Sequence, residues 1–145
     1  MDQMYQHGLV APVFALVAWT FVMLLWMYAT RIPAMQRLKI DPQEAARTGK
    51  LDLPPEVSRV ADNYNHLHEQ PVIFYALALG AHVEGASDPI NIGLAWTYVA
   101  LRIVHSFVQA TVNIIVVRFF LFVLASATLL ALLLRAGGQI FGVLH

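Results

Sequence analysis

From Gly8 to Thr30 the chain runs without a single charged side chain. As an α-helix rising about 1.5 Å per residue, that stretch reaches roughly 34 Å, enough to cross a hydrocarbon core of about 30 Å. One membrane span is therefore written into the start of the sequence, and the rest of the chain must fold around it. A cleaved leader would carry basic residues before a shorter apolar stretch and a small-residue cleavage site after it. Here Asp2 is the only charge ahead of the run and no such site follows, so the helix is expected to be retained. With 59% hydrophobic residues and no low-complexity tract among its 145 positions, the chain reads as a single all-α domain of the membrane class.

Three further apolar runs follow, and their lengths do not match. Pro71 to Val83 is about 13 residues, short of the about 20 that a span needs. To cross, the span must extend back to about Asn63, and the helix itself should begin at Pro54 and Pro55, which suit a helix start, with Glu56 favourably placed in the first turn. Asn63, Asn65, His66, His68 and Glu69 are then carried to membrane depth, where ionisable groups are costly and face protein or a wet cavity. Pro71 removes a backbone donor and crowds the carbonyl of Leu67, which predicts a kink near Leu67. The run from Pro89 to Val117 is longer than one span and that from Phe119 to Leu134 is shorter, so a turn near Thr111 to Asn113 balances the two. The prediction is an integral membrane four-helix bundle with helices at 8–30, 56–83, 89–110 and 114–136. Ala136, Gly137 and Gly138 end the last helix, and a polar, proline-marked loop occupies 31–55.

Charge sets the orientation. Arg31, Arg37, Lys39, Arg47, Lys50 and Arg59 all fall between the first two apolar runs, whereas Glu84 to Asp88 carries only acids. By the positive-inside rule the first loop is cytoplasmic and both termini lie opposite. A formal net charge of zero gives nucleic acid nothing to bind. Cysteine is absent, which excludes a disulfide framework, a zinc–thiolate centre and a protein thiol nucleophile. Any thiol chemistry must come from a cofactor.

On the third helix Tyr98, Arg102, His105 and Gln109 are spaced four, three and four, a polar stripe on one face of an apolar segment. Asn65 and Glu69 on the second helix and Arg118 on the fourth lie at the same depth. If these groups merely pair, with Glu69 offsetting Arg102, they are interhelical glue worth about 0.6–2 kcal/mol per contact. The functional reading counts one carboxylate at this depth, Glu69, against Arg102 and Arg118, leaving surplus positive charge for an anionic, carboxylate-bearing ligand. His66 and Glu69 could share a face, but with one intramembrane carboxylate and no second His/Glu motif a di-iron cluster lacks ligands, and no metal is expected. The interfacial histidines His82 and His145 need no functional explanation, and no internal repeat suggests a transporter.

Two segments resemble the MAPEG family, the membrane-associated proteins in eicosanoid and glutathione metabolism. The first is Arg59-Val-Ala-Asp-Asn-Tyr-Asn65-His-Leu-His-Glu69-Gln-Pro71, similar to the family's Arg, Asn, acid and Pro ahead of an apolar run. The second is Arg102-Ile-Val-His105 with Arg118 sixteen residues beyond Arg102, which looks like the corresponding segment of the family's prostaglandin synthases. The resemblance implies four-helix protomers assembled as a homotrimer, multi-pass in the inner membrane of a bacterium or the endoplasmic reticulum of a eukaryote. Glutathione would bind as co-substrate between protomers at the cytoplasmic side, held by Arg31, Asn65, Glu69, Arg102 and His105, with Arg118 stabilising its thiolate. Lowering a thiol from a pKa of about 8.5 to about 7 requires about 2 kcal/mol, within reach of one arginine.

The function so implied is that of a glutathione-dependent membrane transferase or peroxidase acting on hydrophobic small molecules or lipids that enter from the bilayer. Some positions depart from the family pattern. His68 stands at the usual acid position, Gln109 where the prostaglandin synthases carry a tyrosine, and Phe119 where they carry a serine. Asp62 and Asn63 replace basic residues found in some members. These departures favour the alternative, a non-catalytic lipid-binding or scaffold protein of the same family.

Overall fold

The computed structural model describes residues 6–49 and 51–144, so Asp2, Lys50 and His145 lie outside the described residues. Its regular structure is helical throughout: α1 Val10–Arg37, α2 Pro42–Thr48, α3 Pro55–His66, α4 Gln70–Val83, α5 Pro89–Ala110 and α6 Ile115–Ile140.

The first helix does not stop at residue 30. It runs 28 residues, through Arg31 and Pro33, to Arg37. A proline inside a helix removes one hydrogen bond and costs about 3 kcal/mol, yet here packing outweighs the break. Ala34, one residue past the proline, is buried, and α1 packs against α3. The loop expected over 31–55 is correspondingly shorter and contains α2. The Asp41 side chain caps that short helix by accepting from the Gln43 amide at 3.0 Å, and Gly49 closes it with φ of 70°.

The single helix expected over 56–83 is two helices. Pro71 has no N–H to offer the carbonyl of Leu67, and the backbone between α3 and α4 tightens into three-residue hydrogen bonds, His68 to Asn65 and Glu69 to His66. Glu69 leaves helical geometry altogether, with φ of −99° and ψ of −99°. The proline therefore breaks the helix where a kink was expected.

Helices α5 and α6 form the most extensively packed pair. The turn between them uses neither glycine nor proline. Asn113 takes the left-handed conformation with φ of 52°, and its amide N–H closes the end of α5 on the Val108 carbonyl at 2.6 Å. Asn is the non-glycine residue that most readily accepts this geometry. Helix α6 continues through Gly137 and Gly138 to Ile140 instead of ending there. A Cβ on Gly138 would sit 2.6 Å from the Leu144 side chain, so that glycine makes room for the returning chain.

Leu16, Met23, Phe74, Ala78, Ala95 and Leu132 form the interior. Facing outward are Phe14, Phe21 and Leu25 on α1 and Val116, Phe120 and Leu134 on α6, at 62% (Phe21) to 76% (Val116) exposure. Apolar surface so continuous suits lipid better than water. Helices α1 and α6 are each long and apolar enough to cross a membrane.

Candidate functional site

Polar side chains collect where α3 breaks and where α5 turns into α6. Arg59 ties these places together, its Nη1 donating to the Thr111 carbonyl at 2.7 Å. Between them lies a cavity of about 370 Å³ lined by Arg59, Asp62, Asn65, His66, Glu69, Gln109, Asn113 and Arg118. A second chamber of about 330 Å³ is lined by His66, His105, Ile115, Arg118, Phe119 and Phe122. His66 and Arg118 belong to both linings, so a polar chamber and an aromatic one meet at an imidazole and a guanidinium.

The stripe on α5 is drawn wholly inside: Tyr98, Arg102, His105 and Gln109 are all buried. Arg102 is fully covered. Its Nη2 reaches the His66 carbonyl at 3.5 Å, while its Nε and Nη1 have no partner among the described residues. That carbonyl accepts from the Glu69 amide at 3.2 Å across the break, and its second lone pair is left for Arg102. Glu69 does not pair with Arg102; its nearest ionic neighbour is His66, with Oε2 3.7 Å from Nδ1. The interhelical-glue reading therefore does not account for Arg102. His105 Nδ1, Gln109 Oε1 and Arg118 Nε are likewise buried and unpartnered among the described residues. Buried polar atoms without partners cost about 1–3 kcal/mol each, and a polar ligand in the adjoining chamber would supply them.

Arg118 is held from one side. Its Nη1 donates to Asn113 Oδ1 at 2.7 Å, so the residue that shapes the α5–α6 turn also aims the guanidinium. One turn deeper, Tyr98 donates to Gln70 Oε1 at 3.1 Å and Gln70 Nε2 donates to Ser126 Oγ at 2.8 Å. This chain crosses α5, α4 and α6 and fixes the first turn after the break, forming a satisfied floor beneath unsatisfied groups.

Of the residues singled out in the sequence, Asn65, Glu69 and Arg118 share the polar chamber, His105 joins Arg118 in the aromatic one, and Arg102 stands behind both at His66. Arg31 lies elsewhere, in a separate cavity of about 310 Å³ with Met35 and the α2 residues Pro42, Ala45 and Ala46. The surplus of positive charge in the lining needs correction. Arg59 and Arg118 face Asp62 and Glu69 in the polar chamber, two against two, because Asp62 also reaches this depth. Such a lining suits a zwitterion with both carboxylates and an ammonium. Arg59, Asp62 and His66 were not among the sequence candidates, yet the spacing of Arg59, Asp62, His66 and Glu69 is three, four, three, the signature of one helical face.

Helices with apolar outer faces, packed around a polar cavity near one end, fit an α-helical membrane protein with an internal ligand site. The MAPEG family pattern matches residues 9–138, and the chain belongs to this family of membrane-associated proteins. No curated protein and no solved structure matches it.

Proposed function

We propose that the chain is a glutathione-dependent membrane transferase or peroxidase that conjugates or reduces hydrophobic electrophiles. The observation that carries this reading is the meeting of the two chambers at Arg118 and His66. The polar chamber offers two cations and two anions to a tripeptide that itself bears two carboxylates and an ammonium. Asn65 and Gln109 offer amide groups to its peptide bonds. The aromatic chamber, lined by Ile115, Phe119 and Phe122, takes the apolar partner. Arg118 stands where a thiol from one side and an electrophile from the other would meet, and a guanidinium there stabilises a thiolate.

In this reading Arg118 is the catalytic residue, Asn65 and Glu69 hold glutathione in the polar chamber, and Arg102 and His105 complete its binding set from behind and beside His66. Arg31 would act only in an assembly, since within the protomer it lies apart from the chambers. The protein would span the membrane four times, with α3 and α4 together forming one span and the 22 residues of α5, roughly 33 Å long, another. It would assemble as a homotrimer with the α1–α3 connection in the cytoplasm. Family membership supports the glutathione and membrane context. Titrating purified protein with glutathione should raise thiolate absorbance in the ultraviolet. No rise at saturating glutathione would remove this mechanism.

The apolar lining of the second chamber favours one other reading, a lipid-binding protein without turnover. A lipid that co-purifies and is not displaced by glutathione, together with no reaction on an activated aryl halide or a lipid hydroperoxide, would establish it.

A further inference from the structure

We infer that His66 is the proton carrier of this site: its imidazole takes the thiol proton as the thiolate forms and returns it to a hydrophobic α,β-unsaturated carbonyl held in the aromatic chamber. This rests on the glutathione reading above and adds to it a residue, a substrate class and a proton path.

Arg118 can stabilise a thiolate but cannot create one, because a guanidinium keeps its own proton and has no lone pair to receive another. The proton needs a separate acceptor at the place where sulfur stands. Besides Arg118, only His66 among the described residues lines both chambers, and imidazole is the side chain that exchanges a proton near neutral pH. Its ring is fixed from three sides. Its centroid lies 5.6 Å from that of His105 and 6.4 Å from that of Phe122, which it meets edge to face. Glu69 Oε2, 3.7 Å from Nδ1, balances the charge when the ring becomes an imidazolium. The charged and titratable groups around it are Arg59, Asp62 and Glu69 from its own segment, Arg102 and His105 from α5, and Arg118 from α6. Of these, His105 is absent from the polar chamber, and Asp62 and Glu69 are absent from the aromatic one.

The atoms balance without any other reactant. The S–H bond breaks and its proton moves to His66. Sulfur then bonds the β-carbon, and the carbon–carbon π pair shifts toward the carbonyl to leave an enolate. His66 gives its proton to the α-carbon and is neutral again. One thiol and one enone become one thioether. Substitution on an aryl halide has the same first step but expels halide, so there the proton need not return. The chamber's Phe119 and Phe122 suit a flat conjugated electrophile.

The test uses the full-length protein in detergent or liposomes, with glutathione and two electrophiles, an aromatic enone and an activated aryl halide. His66→Gln keeps the ring's approximate volume and removes the carrier. We expect kcat on the enone to fall about a hundredfold, with glutathione binding changed less than threefold and the acid-side limb of the rate profile gone. The loss on the aryl halide should be smaller, since one of two proton transfers is spared. His66→Ala with added imidazole should regain part of the enone rate, a result that a structural role does not produce. An unchanged pH limb, equal loss on both electrophiles, or a loss confined to KM would overturn the assignment while wild-type turnover keeps the glutathione reading. A wild-type protein that neither binds glutathione nor consumes either electrophile would overturn both. Should His66→Gln fail to elute with the wild-type profile, His66→Asn and the imidazole rescue carry the same decision.

Discussion

At the scale of single residues, function rests on which polar atoms are already spent. Arg118 gives one Nη to Asn113 and keeps Nε buried and free among the described residues, an arrangement that aims the guanidinium rather than neutralising it. Replacing Arg118 by Ala should therefore lower kcat by about 30-fold, equivalent to about 2 kcal/mol of thiolate stabilisation, while glutathione binding weakens much less. Arg118→Lys should recover little, because a point charge does not reproduce the fork. Turnover and binding measured on the same preparation decide the matter: an equal loss in both would make Arg118 a ligand holder. The stripe Tyr98, Arg102, His105 and Gln109 was legible, since a spacing of four, three and four in an apolar run has little other use. Arg59, Asp62 and His66 were less so. Arg59 and Asp62 fall within the helix expected over 56–83 but ahead of its apolar part, whereas the helical period puts them on the face of Glu69, and in this fold the period is the better guide. Arg31 shows the converse: helix position alone could not tell that its cavity is a different one.

At the scale of elements, apolar content told where helices lie and backbone chemistry decided where they end. Pro33 and Gly137-Gly138 look alike on paper as stop signals, but both sit inside helices because burial of Ala34 and Ala136 beside them continues the packing. Pro71 does break its helix, since it has no N–H for the Leu67 carbonyl and the polar segment ahead of it tightens into three-residue hydrogen bonds. The α5–α6 turn depends on Asn113, and two substitutions separate its roles. Asn113→Gly keeps the left-handed backbone and deletes the carbonyl that holds Arg118, so stability should stay within about 0.5 kcal/mol while turnover falls severalfold. Asn113→Ala should lose the same turnover and a further ~1 kcal/mol of stability. At the far end, Asp88 has two tasks. Its Oδ1 caps α5 by accepting from the Asn91 amide at 3.1 Å, and its Oδ2 meets Arg135 of α6. Asp88→Asn retains a capping oxygen and loses only the ion pair, so it should be less destabilising than Asp88→Ala by about 1 kcal/mol. Thermal unfolding in one detergent, compared across the pair, checks this.

At the scale of the whole molecule, the question is how α1 to α6 lie in a bilayer. Helices α1 and α6 are long and apolar enough to cross unaided, whereas α3 and α5 carry buried polar groups and, in the proposed topology, cross only because packing hides those groups from lipid. The proposed topology has a charge signature at each end. Arg31, Arg37, Lys39, Arg47 and Arg59 lie around the α1–α3 connection, whereas Glu84 and Asp88 flank the turn from α4 to α5. Basic residues resist translocation, so the first connection should remain on the cytoplasmic side. The natural sequence contains no cysteine, which makes a single introduced thiol an unambiguous reporter. Ala46→Cys on α2 and Glu84→Cys beyond α4 both replace exposed residues. In sealed vesicles of known sidedness, a membrane-impermeant maleimide should label the first only from the cytoplasmic face and the second only from the opposite one. Labelling of both from one face would require an even number of spans between them and would remove the four-span topology. It would also place the polar chamber at the wrong depth, because the chamber draws Arg59 and Asp62 from the beginning of α3 and Arg118 from the beginning of α6. Topology and site therefore stand or fall together: helices that enter from the same side bring these three residues to one height only if the intervening chain crosses the membrane an even number of times between them.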